Sequence, residues 1–119
     1  MATRKGLIKK TRLDQYARPR AAGIIALGIE EGDELIAARL TEAGSHLLLS
    51  TAQGMAIRFE ESDVRAMGRT AYGVKGITLE AGDEVVSAEV LPPHVEGSSV
   101  PKILTVTQNG YGKRTDLSE

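Results

Sequence analysis

The sequence lacks cysteine and tryptophan, and aromatic residues make up only 3% of its 119 residues. Without cysteine, disulfides and thiolate metal sites are excluded, and a reducing compartment is compatible with the composition. Only two histidines are present, His46 and His94, and no convergent carboxylate pattern accompanies them. The sequence therefore predicts no metal site and no cofactor. A core must be built from isoleucine, leucine, valine and alanine.

Long hydrophobic runs are also missing, since no stretch approaches the roughly 18 apolar residues of a membrane span. The first residues carry charge, but no apolar segment of signal-peptide length follows them. These absences predict a cytoplasmic protein that does not contact the membrane.

Charge is nearly balanced overall, with a formal net charge of −1, which at face value argues against a nucleic-acid partner. The two signs are nevertheless separated along the chain. Residues 4–20 carry seven basic side chains and one acidic side chain, whereas residues 30–34 and 80–84 are strongly acidic. This separation predicts a basic edge and an acidic edge. The alternative is that both are ordinary solvated loops.

Two segments that lie fifty positions apart, residues 23–40 and 73–90, align without a gap. Each contains Gly-Asp-Glu, at 32–34 and 82–84, between two apolar runs. A repeat of this length is typical of stacked arrays and propellers.

Three β-hairpins are predicted, in residues 2–11, 50–59 and 105–115, with turns at Gly6, Gly54 and Gly110. Glycine supplies the positive φ that a tight hairpin turn needs, and Asn109-Gly110 is a strong hairpin signal. Residues 46–49 and 102–106 are predicted to be strands that lead into the second and third hairpins.

The remaining strands are predicted as pairs, 23–29 with 34–40 and 73–79 with 84–90, joined by the Gly-Asp-Glu segments. The arginine-rich stretches 12–22 and 60–72 contain Pro19 and Gly68. They are therefore predicted to be loops with no more than one helical turn.

The fold class predicted for residues 1–119 is all-β, with about four short antiparallel strands per unit, as in a propeller blade. We call residues 1–45 the first unit, 46–101 the second unit and 102–119 the closing hairpin. About two blades cannot close a ring. The expectation is therefore either part of a longer protein or a chain that self-associates through unpaired strand edges.

A family resemblance rests on residues 2–11, 18–26, 55–59, 64–77 and 107–115. Together they resemble the C-terminal domain of the DNA gyrase A subunit, and the related A-type subunit of topoisomerase IV is a close alternative. The resemblance implies a six-bladed β-pinwheel, in which neighbouring blades exchange strands and duplex DNA is bound, bent and wrapped around a basic rim. One family feature, a Gln-Arg-Arg-Gly-Gly-Lys-Gly box, does not occur in this sequence.

The resemblance also implies an accessory role within an ATP-dependent type II topoisomerase. The partners would be duplex DNA, the B subunit and the rest of the A subunit, in the cytoplasm at the nucleoid. No catalysis would reside here, because the catalytic tyrosine of the family lies in another domain.

Lysines and arginines recur in each repeat, and on a curved surface they would neutralise DNA phosphates and release counterions without reading sequence. For individual arginines the alternative is pairing with a nearby carboxylate, such as Glu60, Glu61 or Asp63 for Arg58 and Arg65. The predicted DNA contacts are Arg18, Arg20, Arg58, Arg65, Arg69 and Lys75, followed by Lys9, Lys10, Lys113 and Arg114.

Two other classes of function compete with DNA binding. A protein-interaction module would use the acidic Gly-Asp-Glu edge for docking. An enzyme has little support, because the glycine-rich residues 73–76 lack the Gly-Lys-Ser/Thr of a phosphate-binding loop.

Overall fold

The structure is a computed structural model that describes residues 1–118 and contains nine strands and two single turns of 3-10 helix in that range. The strands are β1 (Ala2–Thr3), β2 (Leu7–Ile8), β3 (Leu35–Ala37), β4 (His46–Thr51), β5 (Ala56–Glu60), β6 (Val74–Lys75), β7 (Val85–Leu91), β8 (Lys102–Val106) and β9 (Gly112–Asp116). The 3-10 turns, Leu13–Tyr16 and Glu61–Asp63, lie in the two predicted loops. The all-β prediction is confirmed.

The strands form three antiparallel sheets, with orders β3-β1-β2-β6, β5-β4-β7 and β8-β9. The first sheet obtains its fourth strand from the second unit, because β6 pairs with β2 through Leu7 opposite Lys75 and Ile8 opposite Val74. Neighbouring units therefore exchange a strand, as the resemblance implied.

The three predicted hairpins are all present, and their turns share one geometry. In each turn, the glycine has a φ of +88° or +89°, and its N–H donates to the carbonyl of the threonine three positions earlier at 3.0–3.1 Å. The hydroxyl of the same threonine accepts the N–H of the residue after the glycine at 3.1–3.2 Å. The three pairs are Thr3 with Gly6, Thr51 with Gly54, and Thr107 with Gly110.

The Gly-Asp-Glu segments bind the turns of the first two hairpins through equivalent hydrogen bonds. Oδ1 of Asp33 accepts the N–H of Lys5 at 2.9 Å and that of the following glutamate at 2.8 Å. Oδ1 of Asp83 accepts the N–H of Gln53 at 3.0 Å and that of its following glutamate at 2.8 Å. The aspartate in each repeat therefore joins the Gly-Asp-Glu segment to the hairpin turn through a main-chain N–H group.

The same contacts set the acidity of the two aspartates. Burial raises the pKa of Asp33, but hydrogen bonds from Thr3 and from backbone N–H groups, together with the charge of Lys5, outweigh burial and lower the pKa overall. Burial likewise raises the pKa of Asp83, and hydrogen bonds from Thr51 and two backbone N–H groups lower it below its usual value. Both carboxylates are thus stabilised in the charged form.

Both predicted strand pairs, 23–29 with 34–40 and 73–79 with 84–90, are wrong. Residues 23–29 contain no strand, the strand predicted at 34–40 is confined to Leu35–Ala37, and the strand predicted at 73–79 is confined to Val74–Lys75. Only 84–90 is formed nearly in full, as β7. In addition, β6 and β7 do not pair with each other, because they belong to different sheets.

The core lies between the first and second sheets and is aliphatic, as the composition predicted. Leu49 and Val85 are each 1% exposed and pack with Ile8, Ile77 and Ala88. No helix within residues 1–118 has the length and apolarity that crossing a membrane requires.

Candidate nucleic-acid interface

Lys9, one of the predicted DNA contacts, is buried. Lys9 is 3% exposed, and its ammonium group donates to the carbonyl of Ala26 at 2.9 Å and to the carbonyl of Arg69. Burial, followed by repulsion from the guanidinium of Arg69, lowers the pKa of Lys9. Lys9 therefore holds two loops together and is not presented to a ligand.

Lys10 and Arg58 occupy equivalent positions in the first two hairpins, and each reaches the segment that follows the next hairpin. Nζ of Lys10 lies 2.7 Å from Oε1 of Glu61 and donates to its carbonyl at 3.2 Å. The guanidinium of Arg58 donates to the carbonyl of Leu117. Glu61 and Leu117 are themselves equivalent, since each follows its turn glycine by seven positions. These two cations therefore connect successive units.

Arg69 has a similar structural contact. Its guanidinium donates to the carbonyl of Ile25 at 2.9 Å and the residue is only partly exposed. This bond ties the loop of the second unit to the segment after the first loop.

Six predicted contacts remain exposed and form no ion pair or side-chain hydrogen bond with any of residues 1–118. We call them the free cations: Arg18, Arg20, Arg65, Lys75, Lys113 and Arg114. The suspected carboxylate partners of Arg58 and Arg65 are engaged elsewhere. Glu61 pairs with Lys10, while Glu60 and Asp63 cap the 3-10 turn between them.

The five cations that the sequence analysis did not select all have oxygen partners. Lys5 donates to the carbonyl of Glu31 at 3.0 Å. The ion pairs of the others are Arg4 with Glu34 and Glu84, Arg12 with Asp14, Arg39 with Glu89, and Lys102 with Asp116. The unengaged positive charge of the described chain is therefore confined to the predicted set.

Four free cations belong to two segments that are pinned together. The segment 16–28 is tied at Ala26, whose carbonyl accepts the hydroxyl of Tyr16 at 2.9 Å as well as Lys9. Gly28 then donates to the carbonyl of Ala71 at 3.0 Å, which joins segment 16–28 to segment 65–75. Arg18 and Arg20 lie on the first segment, and Arg65 and Lys75 lie on the second.

The other two free cations, Lys113 and Arg114, lie on β9 opposite Thr105 and Leu104 of β8. Since the sheet order is β8-β9, β9 has one neighbour in the described chain. The free cations thus form two groups, one beside the first sheet and one on the closing hairpin.

The acidic side chains gather at the other feature of the repeat, the Gly-Asp-Glu turns. Arg4 lies between them, with its guanidinium 3.4 Å from Glu34 and 3.8 Å from Glu84. The glutamates of both units are thereby joined through one arginine, and their negative charge is partly neutralised.

Antiparallel hairpin units that exchange a strand and carry unengaged cations define a propeller-type repeat module. A family model described as the DNA gyrase C-terminal domain, beta-propeller, matches residues 1–42, 45–92 and 101–119. The chain belongs to the DNA gyrase A C-terminal domain family, as its sequence resemblance indicated.

Relatives and solved structures agree with this assignment. The chain is 53% identical over 119 residues to the DNA gyrase A subunit of Salmonella typhimurium and 47% identical over 118 residues to that of Staphylococcus aureus. These matches cover 100% and 99% of this chain, but only 13% of each relative.

Two solved structures share the fold over 98% of this chain. The C-terminal domain of DNA topoisomerase IV has a TM-score of 0.85 at 33% identity, and the chain covers 35% of it. The DNA gyrase A C-terminal domain has a TM-score of 0.80 at 27% identity, with 36% covered. The propeller fold class is therefore confirmed, and the sequence relatives favour gyrase over topoisomerase IV.

Proposed function

We propose that this chain binds duplex DNA without sequence preference and bends it, as part of the C-terminal domain of a DNA gyrase A subunit. The observation that carries the proposal is the set of six free cations. Every other lysine and arginine in the described residues is engaged by the protein, so these six are the charges that a phosphate backbone can use. Contacts of this kind position DNA but carry no sequence information.

The salt dependence of binding follows from the number of free cations. If all six neutralise a phosphate, the slope of log Kobs against log salt is about −5. We expect fluorescence anisotropy with a labelled mixed-sequence duplex to give a steep negative slope of at most this size. A donor and an acceptor at the two ends of the same duplex should show the shorter end-to-end distance of bent DNA.

A pair of matched variants tests which cations are used. The triple variant Arg18→Gln, Arg20→Gln, Arg65→Gln removes three free cations. The control Arg12→Gln, Arg39→Gln, Lys102→Gln removes three that are paired with carboxylates. Both change the net charge equally. We expect the first to weaken binding by about tenfold or more and to reduce the salt slope by about 3, with a much smaller effect of the control. Equal effects of both variants would contradict the proposal.

The acidic edge is the basis of the competing protein-interaction function. Arg4 forms ion pairs with the glutamates of that edge, Glu34 and Glu84. Asp33 and Asp83 accept hydrogen bonds from the hairpin turns. These carboxylates therefore have a structural use that accounts for their recurrence, whereas the free cations have none. This asymmetry supports DNA binding over protein docking.

Within the parent enzyme, an ATP-dependent type II topoisomerase, we propose that the chain acts with the B subunit as well as with the remainder of the A subunit. It would contribute DNA binding and no catalysis of its own, in the cytoplasm at the nucleoid. Because the Gln-Arg-Arg-Gly-Gly-Lys-Gly box does not occur in these residues, the proposal for this piece is binding and bending, and wrapping would involve a longer surface.

We also propose that the isolated chain self-associates. Among residues 1–118, no strand pairs with the outer edges of β5, β8 or β9, and unpaired edges are templates for another chain. Light scattering coupled to size exclusion should show a mass that rises with protein concentration. A single monomer mass over the full concentration range would disprove self-association without affecting the DNA proposal.

A further inference from the structure

Tyr72 is an exposed aromatic residue that lies among the free cations of the second unit. It is 53% exposed, and it belongs to segment 65–75 together with Arg65 and Lys75. Of the three tyrosines, only Tyr16 donates its hydroxyl to another group of residues 1–118, the carbonyl of Ala26. The hydroxyl of Tyr72 therefore has no protein partner in the described chain and is available to a ligand.

The ring of Tyr72 packs on the main chain of the first unit. Gly28 lies so close that a Cβ on it would be 3.1 Å from ring atoms Cδ2 and Cε2 and 2.8 Å from the carbonyl oxygen of Thr70. The N–H of Gly28 also donates to the carbonyl of Ala71 at 3.0 Å. Because the ring rests on a main-chain segment that is itself hydrogen-bonded, it has little freedom left to lose when a ligand binds.

The repeat does not account for this side chain. Tyr72 immediately precedes Gly73, whereas the residue that precedes the equivalent Gly23 is Ala22. The groups that build the units recur in both of them, as the turn threonines, the turn glycines and the aspartates of the Gly-Asp-Glu segments do. A phenol ring that occurs in one unit only, with an unbonded hydroxyl, has no such structural use.

The strand that follows Tyr72 carries further donors. Gly76 donates to the carbonyl of Gly6 at 2.8 Å, and hydrogen-bonded and non-hydrogen-bonded pairs alternate along an antiparallel ladder. The adjacent pair, Leu7 with Lys75, therefore leaves the N–H of Lys75 on the outer edge of β6, where no strand of the described chain lies. Three residues of extended chain span about 10 Å. One stretch of phosphate backbone can thus meet the Tyr72 hydroxyl as well as the main-chain N–H and the ammonium group of Lys75.

We propose that Tyr72 is a DNA contact, and that its hydroxyl donates a hydrogen bond to a phosphate oxygen beside the phosphates bound by Arg65 and Lys75. The inference rests on the proposed function and adds an uncharged contact to the six free cations. Tyrosine is among the residues that bind DNA phosphates, but a neutral hydroxyl displaces no condensed counterion. Its contribution to affinity is therefore independent of salt, unlike that of the free cations.

The variant Tyr72→Phe removes the hydroxyl and keeps the ring against Gly28. We expect duplex DNA to bind this variant about tenfold more weakly, because a hydrogen bond to a charged oxygen is lost. The loss should be the same at every salt concentration, so that the slope of log Kobs against log salt stays that of the wild type. Fluorescence anisotropy over a salt series measures both quantities.

Lys75→Gln is the matched comparison from the same segment. It removes a charge and keeps Tyr72, so it should reduce the magnitude of the salt slope by about 0.9. The loss of affinity caused by Lys75→Gln should therefore shrink as salt rises, whereas the loss caused by Tyr72→Phe should not.

The urea midpoint separates a direct contact from a structural role. Because the Tyr72 hydroxyl is unbonded in the fold, Tyr72→Phe should leave the midpoint unchanged. Tyr16→Phe is the control, since it removes a hydroxyl that donates to Ala26 and should lower the midpoint. A midpoint lowered by Tyr72→Phe would mean that the hydroxyl acts through the fold, and would overturn the proposal.

Two DNA-binding results would also overturn it. If the wild-type chain binds DNA with a steep salt slope and Tyr72→Phe binds equally well, the proposed function stands and Tyr72 has no part in it. If Tyr72→Phe changes the salt slope as Lys75→Gln does, its hydroxyl acts through a cation and not on a phosphate. Absence of DNA binding by the wild-type chain would overturn this inference together with the proposed function.

Discussion

Residues 23–29 and 73–79 are aligned copies that begin with glycine and share apolar residues at their second, fifth and seventh positions, but only the second segment forms a strand. Val74–Lys75 pairs with β2 of the preceding unit, whereas Ile24 and Ile25 pair with no strand and Ile25 is 62% exposed. Among the described residues, the hairpin that precedes the first segment is that of its own unit, residues 2–11. Strand formation here is therefore decided by the availability of a neighbouring edge and not by local sequence alone.

The same comparison explains why the three sheets have four, three and two strands. Two kinds of strand are added to a hairpin in this structure: an inner strand that follows a Gly-Asp-Glu turn, and an outer strand from the next unit. The first hairpin has both, the second has only the inner strand, and the closing hairpin has neither within residues 1–118. The sheets thus record how many neighbours each hairpin has.

The largest effect is expected at Gly73, which begins the exchanged segment, in comparison with the equivalent Gly23. Gly73 has a φ of +106°, and a Cβ at this position would collide with the carbonyl oxygen of Ile8. Gly23 has a φ of +83° but has no atom within 4 Å of such a Cβ. We expect Gly73→Ala to reduce the free energy of unfolding by about 3 kcal/mol and Gly23→Ala by about 1 kcal/mol, measured by urea denaturation.

The Gly23→Ala variant is the control for strain alone, since both alanines would have to adopt a positive φ. Equal losses in the two variants would mean that the exchanged strand adds no stability beyond its turn. In that case the difference between the two copies would have no energetic consequence.

Local features of the fold were predictable from sequence, but features that depend on a partner were not. The Gly6, Gly54 and Gly110 turns follow from backbone sterics within a few residues. The burial of Lys9 depends on carbonyls 17 and 60 positions away. Nothing in the basic run around Lys9 distinguishes it from the exposed Arg18. The sequence could therefore propose a set of candidate cations, and the structure was needed to show which of them bind other parts of the protein.

An intermediate effect is expected from the equivalent aspartates of the two Gly-Asp-Glu segments, Asp33 and Asp83. The pKa values of Asp33 and Asp83 are lowered in the fold. The stability they contribute is therefore fully present above their unfolded pKa of about 3.9 and is lost as the pH falls through the folded value. We expect the urea midpoint to drop in this acid range, and to drop less in the double variant Asp33→Asn, Asp83→Asn. The two proteins should differ most above about pH 4, where the wild-type carboxylates are charged.

Single variants sharpen this comparison between units. If the two aspartate contacts with the hairpin turns are equivalent, Asp33→Asn and Asp83→Asn should each remove part of the pH dependence of stability, and their effects should add. If the urea midpoint of the wild-type protein did not change with pH in this range, the stabilising role assigned to the two aspartates would be wrong.

The smallest effect is expected at the cations that connect successive units. The Lys10–Glu61 pair is mostly covered, with 27% and 18% of the side chains exposed. The exposed Arg58 forms no ion pair within residues 1–118; it donates to the carbonyl of Leu117 in the closing hairpin and to Nδ1 of His46 at 3.4 Å. We expect Lys10→Met to reduce the free energy of unfolding by about 1 kcal/mol, and Arg58→Met by less than about 0.5 kcal/mol. Arg12→Met is the control, because the Arg12–Asp14 pair is 73% and 61% exposed and should contribute almost nothing.

If the Arg58 variant instead lost as much stability as the Lys10 variant, the closing hairpin would be joined to the second unit as firmly as the second unit is joined to the first. The number of strands around a hairpin would then not measure how strongly it is held.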